Sequence, residues 1–118
     1  METTSIHIAN TIRDLYGVEA EDGQKVFALI EKAFKAKKSV TLSFENIELL
    51  TFAFLNTSIG QLYKDFSEEF IKQHLKVENI SASGKVALKR VVETAKLFYK
   101  DPEALQRSID EIVNVKLL

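Results

Sequence analysis

The sequence predicts an α/β domain, a small mixed or mostly parallel sheet covered by helices, and three observations lead there. Stretches of period two, such as Val40, Leu42 and Phe44, alternate along the chain with stretches of helical period, such as Val26, Phe27, Ile30, Ala33 and Phe34. That alternation is the order that parallel strands joined by crossover helices require. Between Val40 and Tyr63 the period changes abruptly, from VTLSF through ENIELLT to FAFLNTSIGQLY. A strand there feeds a helix, whose unpaired N–H groups are left at the carboxyl edge of the sheet. Finally, 118 residues with 46% hydrophobic and 28% charged side chains suit one compact core, so a single domain over residues 1–118 is expected.

Each element has its own signal. Ile6 and Ile8 alternate with His7 and Ala9 as a short half-buried strand, and Asn10 to Ala20, with Gly17, reads as a connection whose Leu15 and Tyr16 pack down. Asp22 is the expected N-cap of a helix to about Ala36, with lysines 32, 35, 37 and 38 gathered at its end, where the helix dipole favours them. Val40 to Phe44 is the clearest strand, and its mild polar face allows cover on both sides. Leu55, Ile59, Leu62, Tyr63 and Phe66 recur at helical spacing, and Gly60 among them implies a close approach between backbones. Ser67 followed by Glu68 and Glu69 starts a shorter helix through His74. Leu75, Val77 and Ile80 suit another strand, and SASG leads into a helix over Lys85 to Lys100. Asp101 and Pro102 then start an additional C-terminal helix with Leu105, Ile109, Ile112 and Val113 on its buried face.

Composition narrows the function classes. A net charge of -1 offers no field to gather phosphate backbones, so nucleic acid is not an expected partner. There is no cysteine, hence no disulfide framework and no thiolate metal site. METTSIHIAN has no basic segment followed by an apolar run, and no stretch reaches the roughly 20 apolar residues that span a bilayer, so a cytoplasmic, membrane-free protein is expected.

Chemistry is sparse. His7 and His74 have no second histidine at ligand spacing and read as surface or packing residues, and Glu69 and His74 are five apart rather than three or four. No G-x-S-x-G, G-x-G-x-x-G or Walker-type run occurs, so neither catalytic residues, nor a metal, nor a cofactor is expected.

The run Val40 to Tyr63, the continuation KDFSEEFIKQHLKVENIS and the helix KRVVETAKLFYK together resemble the STAS-like domain family of uncharacterised bacterial proteins, over Asp22 to Lys100. The wider superfamily includes anti-sigma factor antagonists, which bind a kinase-like anti-sigma factor and are switched by phosphorylation of a serine beside the strand-to-helix loop. The resemblance therefore implies a regulatory module with a protein partner, of the ATP-binding kinase-like kind. It also implies a departure, because Ala53 stands where the switch serine would and alanine accepts no phosphate. Thr51, Thr57 and Ser58 lie nearby, but a threonine at a helix start commonly serves as an N-cap and Ser58 fills a helix face.

The expected working surface is the edge Thr51, Phe52, Ala53, Phe54, Asn56, Thr57 and Ser58. On it Leu55, Ile59 and Leu62 anchor the helix, while Thr51, Phe54, Asn56 and Ser58 face outward. Phe52 and Phe54, two apart, cannot both face one core, and an outward Phe54 either covers a neighbouring element or anchors a partner. The alternative is a small-molecule-binding domain or small enzyme using the same sheet edge. A component of a larger assembly is a third possibility. The terminal VNVKLL either completes the last helix or docks Leu117 and Leu118 on a second copy as a homodimer.

Overall fold

The computed structural model describes residues 1–100. In chain order these form β1 (Thr3–His7), α1 (Ile8–Ile12), β2 (Tyr16–Gly17), α2 (Ala20–Lys35), β3 (Ser39–Ser43) and β4 (Leu49–Leu50). Then come α3 (Phe52–Leu55), a π-helical turn (Asn56–Gly60), α4 (Leu62–Asp65), α5 (Glu68–His74), β5 (Leu75–Glu78) and α6 (Ala82–Lys100). The additional helix expected after Pro102, and the VNVKLL tail, lie outside the described residues.

Every strand pair among the described residues is parallel. The main sheet has the order β1-β3-β5, with Ile6 beside Leu42 and Leu42 beside Val77, and β2 pairs with β4 as a separate two-stranded ribbon. The period-two pattern explains the orientation: Ile6, Val40, Leu42 and Phe44 are buried toward the helices, whereas Thr3, Ser5 and His7 on the alternate positions of β1 are exposed. Cover on both faces of β3 is found only at its carboxyl end: of the alternate residues, Ser39 and Thr41 are half-buried and Ser43 is buried. The helices close the other side. The stripe Val26, Phe27, Ile30, Ala33 and Phe34 of α2 is buried, as its spacing predicts, and the π-turn and α6 stack on α2 in succession. At the amino end of the sheet Phe34 meets Phe66 and Phe70 edge-on, each at a centroid distance of 5.1 Å, closing the core where the sequence shows only scattered aromatics.

Several expectations change. The alternation at Ile6 and Ile8 does not continue as a strand. Ile8 and Ile12 are four apart and both buried, so the chain turns into α1 at Ile8, and the segment read as a connection holds a helical turn and β2. Leu15 and Tyr16 do not pack down; they are 43% and 48% exposed, and Ile12 occupies the core instead. Helix α2 begins two residues before Asp22, with Glu19 at the cap position. Asp22 is a first-turn acid paired with Lys25 at 3.3 Å, a place the helix dipole also favours. Ile80 falls beyond β5. Gly60 does approach α6, but the atoms nearest to an added Cβ are side chains, Asn56 Oδ1 at 2.5 Å and Val91 Cγ1 at 3.4 Å, not backbone.

Candidate functional site

The strand-to-helix junction is built in two steps rather than one. After β3, Phe44 N–H bonds to Glu78 O at 2.9 Å and Ile47 N–H to Phe44 O at 3.0 Å, and Asn46 takes the left-handed conformation (φ 68°), so the chain folds back. It then pairs with the segment following α1. Glu48 N–H bonds to Leu15 O at 2.7 Å and Thr51 N–H to Gly17 O at 3.0 Å, fixing the β2–β4 ribbon beyond the carboxyl ends of β1 and β3. Gly17 permits this closeness: a Cβ there would stand 2.9 Å from Leu50 Cδ2 and 3.1 Å from the Phe54 ring. The ribbon has no continuous hydrophobic pattern, and only its two-residue length and the nearby glycine mark it.

Thr51 caps α3. Its Oγ1 accepts from Phe54 N–H at 3.2 Å and donates to Val18 O at 2.6 Å, tying the helix start to the residue after β2. The hydroxyls that follow also bond inward. Thr57 Oγ1 donates to Ala53 O at 2.8 Å and Phe54 O at 3.1 Å, and the fully buried Ser58 directs Oγ toward Leu55 O at 3.4 Å. Side-chain competition for helix carbonyls loosens the ordinary ladder, and here the chain widens to a π-turn closed by Gln61 N–H on Asn56 O at 2.9 Å. Opposite lies Gly23 of α2, where a Cβ would collide with Thr57 Oγ1 and come within 2.6 Å of Phe54 O.

The expected site residues therefore divide. Leu55, Ile59 and Leu62 are buried anchors, as expected, and Asn56 is exposed. Phe54 and Ser58 are not outward: both have zero exposure, because the π-turn packs on α2 and draws that face of the helix into the core. Phe52 is the outward aromatic, at 53% exposure, with Ala53 exposed beside it. Thr51 and Thr57 are half-buried with their hydroxyls engaged as above. The ribbon adds residues absent from the expected site. Tyr16 and Leu49 are register partners, and Leu49 is exposed to the same degree as Phe52. Leu15 precedes β2 and Phe52 opens α3 two residues after β4, so the four exposed side chains lie on or beside the ribbon. Glu48 stands beside Tyr16, and chiefly by its charge raises the phenol above its ordinary pKa of 10.0. The cleft between this ribbon and the start of α6, lined by Ile47, Leu49, Ser81 and Gly84, holds about 180 Å³.

The two histidines lie elsewhere. His7 ends β1 on the exposed face, and His74 ends α5, its ring tilted at 52° to that of Phe70 at a centroid distance of 4.5 Å, with Nδ1 2.9 Å from Ser39 Oγ. That Ser–His contact sits at the amino end of β3, the end opposite the junction. Among the described residues, no three His, Asp or Glu side chains gather as a metal site, and no helix is long and apolar enough to cross a membrane.

Residues 22–85, more than half of the chain, match a family model described as a STAS-like domain of unknown function. The chain belongs to that family. The match opens at Asp22 in α2, takes in β3, the junction, α5 and β5, and closes at Lys85 in the first turns of α6, short of the Lys100 suggested by sequence resemblance. Comparison with curated proteins and with solved structures gives no match. In this STAS-like domain Ala53 lies exposed on the first turn of α3 and offers a methyl group.

Proposed function

We propose that this STAS-like domain is a non-enzymatic, regulatory protein–protein interaction module of bacterial, cytoplasmic type, comparable to the anti-sigma factor antagonists. Its partner is a protein, of the ATP-binding kinase-like class that the resemblance implies. The partner docks at the carboxyl edge of the sheet on Phe52, Leu49, Tyr16 and Leu15. One observation carries the reading: these large apolar side chains are 43% to 53% exposed on or directly beside a ribbon held by its own backbone hydrogen bonds. Exposed aromatic and aliphatic groups on a rigid element are what interface hot spots are made from, and pre-organisation lowers the cost of binding. With Ala53 at the switch position and the nearby hydroxyls turned inward, the docking is set by shape and apolar contact rather than by phosphate on this edge. The cleft of about 180 Å³ falls below the ~300–1,000 Å³ usual for small-molecule pockets, which favours this reading over a ligand site or small enzyme at the same edge.

The test compares affinity capture by the wild type and by Phe52→Asp, followed by binding measurements on the purified captured protein. Aspartate at a first helical position is compatible with the helix dipole, so the variant is expected to fold normally. The expected result is a discrete ATP-binding protein retained by the wild type and lost by the variant, with unchanged circular dichroism. Equal retention by both proteins overturns the proposal.

A further inference from the structure

The open edge of the sheet at β1 presents a second surface, built from residues other than those of the junction. β1 is an edge strand, paired only with β3 among the described residues. Ser39 N–H bonds to Glu2 O, and the in-register parallel pairing from Thr3 to His7 then directs the backbone groups of even-numbered residues toward β3 and of odd-numbered residues away from it. The N–H groups of Thr3, Ser5 and His7 therefore line an edge that is open at its amino end and closes at His7, whose carbonyl accepts from Thr11 Oγ1 at 2.8 Å. Proteins usually blunt such an edge with proline, lysine or a bulge, and β1, TTSIH, contains no proline or lysine and keeps continuous register.

Beside this edge runs a groove of about 570 Å³, bounded by β1, α1 and α2. Its floor is apolar, from Ile6, Leu29, Ala33 and Ala36, and Leu29 is 42% exposed on a helix whose other large apolar side chains are buried. Its charge has one sign: Lys32 and Lys38 line it, and no carboxylate does among the described residues. Lys38 lies 3.9 Å from Glu2, a loose, exposed pair, and Lys32 makes no ion pair among the described residues. Both lysines belong to the segment from the last turn of α2 to the start of β3, at the amino end of β1.

We propose that the β1 edge is a strand-addition site for an extended acidic peptide of a partner protein. The incoming backbone hydrogen-bonds to Thr3, Ser5 and the N–H of His7, alternate apolar side chains lie over Leu29 and Ala33, and a carboxylate meets Lys32 and Lys38. Main-chain bonding supplies affinity in such additions, and the pockets for alternate side chains supply specificity. The site is separate from the Phe52 surface, so either can fail without the other.

The probe is an end-blocked octapeptide of alternating valine and threonine with two glutamates added at one end, prepared in both orientations; its control carries lysines in their place. Backbone amide shifts of the full chain are followed by NMR during titration. The expected result is saturable shifts at Thr3, Ser5 and His7 with at least one acidic peptide, and binding at least ten-fold weaker with the lysine control. Ser5→Pro removes an outward N–H at a position where an edge strand tolerates proline, and should abolish the shifts while the spectrum stays folded. Lys32→Glu, which leaves the backbone untouched and one lysine against one glutamate in the groove, should remove the charge preference. Four results would overturn the proposal: no shifts at millimolar peptide, equal binding of both charge forms, the same shifts with free glutamate alone, or an edge already protected by self-association of the chain.

Discussion

The reassignment of Phe54 and Phe52 can be tested by one substitution at each. Phe54 has no exposed surface; its ring lies against the Gly17 backbone, with an added Cβ there 3.1 Å from two ring atoms, and its carbonyl faces Gly23. Truncating a fully buried phenylalanine to alanine costs about 3–5 kcal/mol, because the transfer energy is lost and the surrounding helices close the cavity only in part. For a domain whose whole stability is about 5–15 kcal/mol that is a large fraction. With a urea dependence of about 2 kcal/mol per molar, Phe54→Ala should lower the unfolding midpoint by roughly 2 M. Phe52→Ala removes a side chain 53% exposed, and a surface change of this kind stays within about 0.5 kcal/mol, or roughly 0.25 M. Equilibrium urea unfolding followed by circular dichroism at 222 nm measures both. Equal midpoints, or a larger loss for Phe52→Ala, would refute the placement of the helix face.

The remaining predictions concern packing and charge. Gly23→Ala should destabilise by about 1–3 kcal/mol, since the new methyl meets a backbone carbonyl that cannot move aside unless α2 parts from the π-turn; Gly60→Ala should lie between neutral and about 1 kcal/mol stabilising, because the Asn56 side chain can swing away. Thermal unfolding of the pair checks the contrast. Ser39→Ala, removing the 2.9 Å contact with His74, should cost about 0.5–1.5 kcal/mol by the same assay, without shifting the junction amides in an NMR spectrum. Lys96 Nζ lies 2.8 Å from Glu68 Oε1, and the hydrogen bond and charge of Lys96 lower the Glu68 carboxyl below its ordinary 4.5. Donating that hydrogen bond to Glu68 raises Lys96 above its ordinary 10.5. A depressed acid contributes stability at pH above its unfolded value and loses it as pH falls through the folded value; the raised lysine contributes below 10.5 and loses it as pH rises through the folded value. Lys96→Met should therefore flatten the small dependence of the urea midpoint at both extremes, and an unchanged profile would remove the pair from the account.

Sequence reading identified the core well wherever a period was long enough to repeat. The α2 stripe and the β3 alternation are both buried as their spacing requires, and Ser67 accepts from Phe70 N–H at 3.1 Å as the N-cap of α5. It was weaker where the evidence was two residues long. Ile6 and Ile8 fit a strand by a spacing of two, and Ile8 and Ile12 fit a helix by a spacing of four; only packing against α2 and β1 selects the second at Ile8. Phe52 and Phe54 posed the same problem, since a short helix start has no repeat to show which residue faces inward. Ser58, three residues after Leu55 and four before Leu62, shares their face by helical spacing and is enclosed with them, although its hydroxyl suggested an outward place.

The sequence alone determined the class of fold and the stretch where strand period gives way to helix period, because these follow from hydrophobic spacing; that every described strand pair is parallel came from the structure. Tertiary structure decided which side chains the junction offers. Tyr16 and Leu49, thirty-three residues apart, become neighbours only through β2–β4 pairing, and Phe54 is committed to the core only because Gly17 and Gly23 let two other segments approach it. Those are contacts between distant parts of the chain, and a local pattern carries no record of them.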